Sequence, residues 1–200
     1  MTATEMLAGI PAPDPDAAAR LHARLVEAAD GEGLLDVSYR MLDSPVGPLL
    51  LAATSDGLVR VAFDREDHDA VLVSLAAEIS PRILRAPRRL DDAARQLDEY
   101  FAQRRRRFDL PVDLQLAHGF RRTVLTHLRA IPYGATESYA TVAAATGRPA
   151  AVRAVGTACA RNPLPLVVPC HRVVRSDGTL GQYGGGPEVK EQLLHMEGAA

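Results

Sequence analysis

The residues best suited to chemistry in this chain are a cysteine and a histidine adjacent in sequence, Cys170 and His171. A thiol attacks as the thiolate, and a nearby imidazole or a relay through water is the usual means of forming it near neutral pH. The pair alone decides little, because free cysteine is among the most buried residue types and neighbouring residues point apart on a strand. Cys170 by itself fits both a nucleophile and an ordinary core residue.

The segment that leads to this pair is apolar and contains three prolines, Pro163, Pro165 and Pro169, around residues 164–168. Proline lacks a backbone donor and is poorly tolerated within a sheet. We therefore predict a stiff, buried and bent segment, in place of a central strand, that holds Cys170 at a fixed depth.

Length and composition limit the classes of protein to be considered. The chain has 200 residues, 47% of them hydrophobic, which is enough for one large domain or two small ones with a true core. Two cysteines exclude a disulfide framework, and no Cys/His cluster has the spacing of a zinc site. With neither a signal-peptide pattern nor an apolar run of ~18 residues, the sequence predicts a cytoplasmic protein.

Charge is divided unevenly along the chain. Residues 1–113 hold 14 Lys and Arg against 20 Asp and Glu, a net charge of −6, whereas residues 114–200 hold 9 against 5, a net charge of +4. Phosphate contacts supply most of the non-specific affinity for DNA. The basic half, which carries Cys170, is therefore suited to a DNA surface.

The first half of the chain predicts a disordered arm over residues 1–15, a helix from Asp16 to about Ala29, and then strands mixed with helices. These later elements are Val37 to Leu42, Leu49 to Thr54, a hairpin turn at 55–57, Leu58 to Phe63, a helix from Asp67 to Ile79, a helix from Asp91 with Ala94, Leu97 and Phe101 on one face, and a last strand from Phe108 to Val112. The helix from Asp91 is predicted to end in Arg104 to Arg107. This run is either a solvated helix end, which we prefer, or a phosphate contact.

The second half predicts a helix-turn-helix. Its elements are a helix with Phe120, Val124, Leu128 and Ile131 in one apolar stripe, a short helix from Tyr139 to Thr146 capped by Ser138, a glycine stop at Gly147, a helix from Pro149 to about Ala160, and a closing helix from Pro187 to Glu197. Two short helices joined through a glycine are typical of a DNA-binding helix-turn-helix.

The second helix of this motif has two different faces. Val152, Val155 and Cys159 are predicted to face the core, and the opposite face carries small residues with one arginine, namely Ala150, Arg153, Ala154, Thr157 and Ala160. This face has too few long polar side chains to read a major groove. Small residues instead allow close approach to a minor groove, with one arginine entering the base stack. An alanine-rich surface helix without DNA contact is the alternative.

Taken together, these features resemble the 6-O-methylguanine-DNA methyltransferase family, whose members accept an alkyl group and act once. The matching residues run from about residue 117 to the end, in the family's order: Ile131-Pro132-Tyr133-Gly134, Ser138-Tyr139, Arg153-Ala154-Val155-Gly156, Asn162-Pro163, Pro169-Cys170-His171-Arg172-Val173-Val174, Gly181-Gln182-Tyr183-Gly184-Gly185 and Glu197-Gly198. A weaker match at residues 44–49 extends the resemblance back to about residue 36.

The resemblance implies an α+β fold in three parts. After an extension over residues 1–35, which the resemblance does not cover, it implies a small ribonuclease-H-like α/β domain over 36–113 and a helix-turn-helix (winged-helix-like) alkyltransferase domain over 114–200. It implies irreversible methyl transfer to Cys170 from 6-O-methylguanine, and from 4-O-methylthymine, in nucleotides flipped out of double-stranded DNA. We expect a monomer without cofactor, and no metal, because no cysteine precedes Cys159.

The resemblance also implies a role for each matching residue. Glu197 orients His171, which draws the Cys170 proton through water, and Asn162 ties the turn after the second helix to the active-site segment. Tyr139 donates to guanine N3, and Arg153 takes the place of the flipped nucleotide. Further DNA contacts are expected at Ala154, Thr157 and Ser176, and the substrate pocket at Pro165, Val173, Tyr183 and Gly184, the last through its backbone amide.

Two other classes of protein remain as alternatives at this point. A Cys-His-Glu hydrolase would turn over many times and would leave the helix-turn-helix unexplained. A DNA-binding regulator would use Cys170 as a core residue or redox switch and would tolerate its replacement by alanine.

Overall fold

The structure, a computed structural model, describes residues 15–199, so the predicted arm lies outside the described part except for Pro15. The helices are α1 (Pro15–Gly31), α2 (His68–Glu78), α3 (Asp91–Phe101), α4 (Gly119–Leu128), α5 (Tyr139–Ala145), α6 (Val152–Ala160) and α7 (Pro187–Glu197). The strands are β1 (Val37–Leu42), β2 (Leu49–Thr54), β3 (Gly57–Phe63), β4 (Ile83–Arg85), β5 (Glu137–Ser138) and β6 (Val173–Val174). Helix α1 belongs to a compact unit that ends at Leu35, and the mixed α+β fold begins at Asp36.

A four-stranded sheet in the order β3-β2-β1-β4 forms the first part of this fold, and only the β1–β4 pair is parallel. The three long strands and the hairpin turn between β2 and β3 are confirmed to within one residue of their predicted bounds. Strand β4 was missed, because three residues between Pro81 and Pro87 are too few to show a strand period.

Both faces of the sheet are covered, because alternate residues of a strand point to opposite sides. On one side Leu50 of β2 packs with Val71 and Leu75 of α2. On the other side Leu49 joins a larger core that includes Leu97 of α3 and continues through α4, α5, α6 and α7. One apolar interior therefore connects the sheet to the helices around Cys170.

The predicted helix-turn-helix is present as α5 and α6, which pack on each other and on α4. The Ser138 hydroxyl accepts a hydrogen bond from the Thr141 amide at 3.0 Å and so caps α5 as predicted. Gly147 follows α5 with φ +76°, a left-handed conformation that glycine adopts without steric cost.

The start of α6 differs from the prediction. The helix begins at Val152, because the Ala151 amide closes a turn on the Arg148 carbonyl at 2.8 Å, and Pro149 lies in this turn. Val152, predicted to face the core, is 38% exposed, whereas Val155 and Cys159 are buried as predicted.

The predicted last strand from Phe108 to Val112 is wrong. Only Val112 bridges to Leu58 of β3, and Pro111 has no amide to extend the ladder. Its carbonyl instead accepts the Leu58 amide at 2.9 Å. The segment therefore covers the edge of β3 without becoming a fifth strand.

The end of α3 also differs from the prediction. The helix stops at Phe101, so Arg104–Arg107 follow it and do not form its last turn. The predicted apolar stripe included Phe101, but this side chain is only partly buried, and Tyr100 takes the fully buried position. This one-residue difference brings a tyrosine hydroxyl into the core.

Residues 15–199 contain no helix with the length and apolar character needed to span a bilayer. In the same part of the chain, no three His, Cys, Asp or Glu side chains lie close enough together to hold a metal ion.

Candidate active site

The segment before Cys170 is irregular and buried, as its prolines predict. Residues 162–174 are all buried, and residues 163–168 form turns and bends without a strand. Leu166 has φ +73°, a conformation that costs a residue with a side chain roughly 1–3 kcal/mol and persists where the surrounding structure determines it. The segment cannot shift without disturbing the core, which fixes the depth of Cys170.

Asn162 holds the two ends of this segment together and also contacts the thiol. Its Oδ1 accepts from the Leu164 amide at 3.0 Å, and its Nδ2 donates to the Val168 carbonyl at 2.8 Å and to Cys170 Sγ at 3.1 Å. These bonds replace backbone partners that the prolines remove. Asn162 thus lies between the turn after α6 and the segment that carries Cys170, and its side chain contacts both.

Cys170 begins a 3₁₀ turn, Cys170–Arg172, and borders a cavity of about 340 Å³ that Cys159, Pro165 and Gly184 also line. Burial raises the pKa of the Cys170 thiol to about 11, although the Asn162 hydrogen bond and the Lys190 charge act in the opposite direction. The thiol is therefore protonated at neutral pH, and its reaction as a nucleophile requires a base.

A hydrogen-bonded network begins at the residue that follows this thiol in sequence. His171 Nε2 and Glu197 Oε1 are 3.0 Å apart, and both side chains are fully buried. Arg172 donates to the same carboxylate twice, from Nε to Oε2 at 2.8 Å and from Nη2 to Oε1 at 2.9 Å, and donates to the Ile131 carbonyl from Nη1 at 2.6 Å. Because a bidentate arginine fixes the plane of a carboxylate, Glu197 is held in one orientation toward His171.

The Glu197 carboxylate is ionised in spite of its burial. Burial raises its pKa, but hydrogen bonds from His171, Arg172 and Tyr100 outweigh this effect and hold the pKa well below the usual range. The backbone amide of Gly134 is a further donor, at 3.4 Å from Oε2. An ionised carboxylate only accepts, so Nε2 of His171 must carry a proton.

His171 is therefore neutral with its lone pair on Nδ1. Burial lowers the pKa of this imidazole, and the opposing effect of the Glu197 charge does not compensate. Nδ1 is buried and has no hydrogen-bond partner within residues 15–199. A buried acceptor of this kind, on the residue that follows the protonated Cys170 in sequence, is suited to receive a proton.

Tyr139 lies beside the same segment because β5 pairs with β6, which matches Ser138 with Val174. The side chain is partly buried, and a side chain at Gly181 would overlap its hydroxyl. Burial, together with the nearby thiols, raises the pKa of Tyr139 to about 12, so the hydroxyl is a donor at neutral pH. Within the described residues it has no hydrogen-bond partner.

The four predicted pocket residues lie around Cys170. Pro165 and Gly184 line its cavity, and Tyr183 is buried with its ring centroid 6.2 Å from that of His171. Val173 follows the 3₁₀ turn, and its carbonyl accepts from Lys190 Nζ at 2.6 Å while retaining a second lone pair.

The predicted DNA contacts lie on two elements. Arg153, Ala154 and Thr157 are exposed on α6, and Arg153 has no ion pair with any other residue between 15 and 199. Ser176 lies in the exposed turn after β6, which the Gly178 amide closes on the Arg175 carbonyl at 2.9 Å.

Three buried residues contact the site but are not predicted from the sequence to do so. Arg172 lies in the matching motif but received no role, and Tyr100 is 97 residues from the carboxylate it contacts. Lys190 is fully buried on α7, 5.9 Å from the Tyr139 ring. The burial of Lys190 could have been predicted from its position in the helix. The buried residues of α7 follow the i, i+3, i+4, i+7 pattern of one helix face, namely Lys190, Leu193, Leu194 and Glu197.

Comparison with known proteins gives matches over most of the chain. Residues 37–114 match the family model "6-O-methylguanine DNA methyltransferase, ribonuclease-like domain", and residues 119–199 match its "DNA binding domain". A methylated-DNA--protein-cysteine methyltransferase of Methanosarcina barkeri is 38% identical over 159 residues, covering 80% of this chain and 96% of the relative. The constitutive methylated-DNA--protein-cysteine methyltransferase of Bacillus subtilis is 39% identical over 160 residues, covering 80% and 94%.

A solved structure also resembles this chain over most of its length. The structure of Mycobacterium tuberculosis OGT in complex with DNA has a TM-score of 0.69 and 36% identity, and the match covers 80% of this chain and 92% of that one. These likenesses extend across the sheet, the helix-turn-helix and the segment that carries the buried Cys170. The chain therefore belongs to the 6-O-methylguanine-DNA methyltransferase family.

Proposed function

We propose that the protein repairs DNA by direct reversal, moving the methyl group of 6-O-methylguanine, and of 4-O-methylthymine, to the sulfur of Cys170. The observation that carries this proposal is the setting of that sulfur: it borders a cavity, accepts a hydrogen bond from Asn162, and adjoins the buried His171–Glu197 pair. The names of the relatives and the DNA complex of one of them support the same reaction.

Activation of the thiol begins at His171. Its Nδ1 accepts the Cys170 proton through a water molecule, and the ionised Glu197 stabilises the imidazolium that results. The Asn162 donor, 3.1 Å from Sγ, stabilises the thiolate. The ion pair of Glu197 with Arg172 keeps the carboxylate in place throughout.

The thiolate then displaces guanine from the methyl carbon. A C–S bond forms as the C–O bond breaks, and the electron pair of that bond leaves with the guanine O6. Donors aimed at the position where this charge develops lower the barrier. Tyr139 supplies its hydroxyl and Gly184 its backbone amide, and neither has a hydrogen-bond partner among residues 15–199. The anion is finally protonated to ordinary guanine.

The methyl group of the lesion lies within the base stack, so the nucleotide must be turned out of the duplex. We propose that the small exposed face of α6, with Ala154 and Thr157, enters the minor groove and that Arg153 fills the space left by the flipped nucleotide. Ser176 adds a contact from the turn after β6.

The product is a thioether, which has no easy route back to a thiol, so each molecule acts once. Action as a monomer and location in the cytoplasm stay predictions from the sequence.

The test is a mass measurement of the intact protein after incubation with a duplex that contains 6-O-methylguanine. We expect a gain of one methyl group per molecule, mapped to Cys170, and no gain in Cys170→Ala. Cys159→Ala is the matched control, because it removes the other buried thiol of the same cavity and should still be methylated. Methylation at another residue, or repair of more than one lesion per molecule, would contradict the proposal; repeated turnover would favour a hydrolase.

A further inference from the structure

One hydrogen bond of the active site comes from the ribonuclease-like half of the fold. Tyr100 on α3 is fully buried, and its hydroxyl donates to Glu197 Oε1 at 2.6 Å. Its ring packs against the rings of Phe101, Phe108 and Tyr133, with centroids 5.4, 5.2 and 6.2 Å away. The steps of methyl transfer described above use the carboxylate but not this hydroxyl.

The hydroxyl shares its acceptor with the catalytic histidine. Glu197 Oε1 also accepts from Arg172 Nη2 at 2.9 Å and lies 3.0 Å from His171 Nε2, and the Tyr100 contact is the shortest of the three. A carboxylate oxygen has two lone pairs, so three donors compete for them. A lone pair of Oε1 that accepts the hydrogen bond from Tyr100 is not available to accept one from His171.

We propose that Tyr100 is a positioning residue for methyl transfer. Its hydroxyl fixes Glu197 Oε1 and limits how strongly this carboxylate stabilises the protonated form of His171. The ribonuclease-like half thereby acts on a reaction whose other groups all lie after residue 130. The arrangement keeps the imidazole neutral, which is the form that can accept the thiol proton.

Other charged or titratable side chains near this network act from different positions. They are Arg172 and Cys170 of the 3₁₀ turn, Lys190 of α7, Tyr183 before α7, Tyr133 after α4, Arg106 over the Tyr133 ring, and Glu66 after β3. Of these, only Arg172 donates a hydrogen bond to Glu197. Removal of the Tyr100 hydroxyl therefore changes the coordination of the carboxylate while these charges remain.

The test compares Tyr100→Phe with Tyr133→Phe in the full chain. Both keep the ring, and Tyr133 donates to the Met196 carbonyl at 3.1 Å, one residue before Glu197, without contacting the carboxylate. We follow the ring nitrogens of His171 by ¹⁵N NMR against pH in the free protein, with the signal assigned by its loss in His171→Asn. We expect Tyr100→Phe to move the titration of His171 to higher pH by about one unit, and Tyr133→Phe to leave it unchanged.

The kinetic part rests on the proposed function. In single-turnover methylation by lesion-containing duplex, Tyr100→Phe should move the acid limb of the rate profile upward by a similar amount, with DNA affinity unchanged. At a pH below that limb the rate should fall about tenfold. A structural role alone would lower stability and leave the pH profile in place.

Several outcomes would overturn this proposal. They are an unchanged His171 titration in folded Tyr100→Phe, a shift in the opposite direction, or an equal shift in Tyr133→Phe. If Tyr100→Phe does not fold, 3-fluorotyrosine at position 100, whose more acidic hydroxyl is a stronger donor, must move the titration to lower pH, and failure to do so also overturns it. Because the NMR measurement uses no DNA, absence of methylation would defeat the proposed function without deciding the role of Tyr100.

Discussion

The two buried thiols, Cys159 and Cys170, border the same cavity but belong to different kinds of backbone. Cys159 lies in a regular helix, α6, and burial raises its pKa far above the usual range, with the Cys170 charge adding to this effect. Cys170 lies in the irregular segment after the prolines, where the Asn162 hydrogen bond limits the rise of its pKa to about 11. Two thiols that share a cavity thus differ in the groups able to stabilise their negative charge.

This difference shows what makes a buried cysteine reactive. Burial alone protects both thiols from ionisation. Only at Cys170 does the backbone bring a donor to the sulfur and a hydrogen-bonded histidine to the next position, because the 3₁₀ turn buries His171 against Glu197. A regular helix does not provide this arrangement. The irregular backbone around Cys170 is therefore required for its reactivity.

The largest effect is expected from Glu197→Gln, which would make the surroundings of Cys170 more like those of Cys159. The change leaves Arg172 as an uncompensated buried charge, and breaking a buried pair in this way costs about 3–5 kcal/mol. We expect the free energy of unfolding in urea to fall by about this amount and methyl transfer to be lost in the folded fraction. Glu191→Gln, at an exposed position of the same helix, is the control and should change neither. Full activity of Glu197→Gln would show that the network is dispensable.

A smaller effect is expected from Asn162→Ala, which removes the donor that distinguishes the two thiols. Hydrogen bonds to charged groups contribute about 1.5–3 kcal/mol, so the rate of methyl transfer should fall about 10- to 100-fold. Alkylation of Cys170 by iodoacetamide should slow likewise, and that of Cys159 should not, as measured by peptide mass spectrometry.

Asn162→Asp separates the two functions of this side chain. It keeps an acceptor for the Leu164 amide but loses the Nδ2 donor to Cys170, so it should react at least as slowly as the alanine variant. A rate near that of the wild type would mean that Asn162 acts through its hydrogen bonds to the backbone and not through stabilisation of the thiolate.

The smallest effect is expected on stability at alkaline pH. Both thiols have a raised pKa in the folded state, so above pH ~8.5 the unfolded chain loses these protons first. Stability from this source is complete below that pH and is lost as the pH rises toward about 11 at Cys170. We expect a loss of about 1–2 kcal/mol per thiol by pH ~10. Urea midpoints against pH should fall less steeply in Cys159→Ala and Cys170→Ala than in the wild type, and equal slopes in all three would contradict the shifts.

Much of the fold could be predicted from local patterns. The three long strands, the hairpin turn and the closing helix follow from apolar periodicity and turn residues, and Ser138 and Gly147 mark the ends of α5 through capping and left-handed geometry. Each of these signals is contained in a short stretch of sequence and can be recognised without knowledge of the tertiary contacts. The bend before Cys170 was predictable for the same reason, since proline removes backbone donors wherever it lies.

Two of the errors have different causes, one a tertiary contact and the other a local turn. Phe108–Val112 has the composition of a strand, but Pro111 meets β3 through its carbonyl alone. Val152 has a core residue type, but the turn at Arg148–Ala151 delays the start of α6 and leaves it partly exposed. The contact of Pro111 with β3 joins residues far apart in the chain, whereas the turn before α6 is local and apolar periodicity alone does not place its end.

The amino-acid sequence determined the reactive pair, the bent segment that carries it, the helix-turn-helix and the family resemblance, because each depends on residue types at short and fixed spacing. Only the tertiary structure decided that Arg172 and Tyr100 complete the coordination of Glu197 and that Lys190 is buried beside Val173. These contacts join residues far apart in the chain. Hydrogen bonds of this kind depend on which side chains share the core after folding, and local periodicity does not specify that.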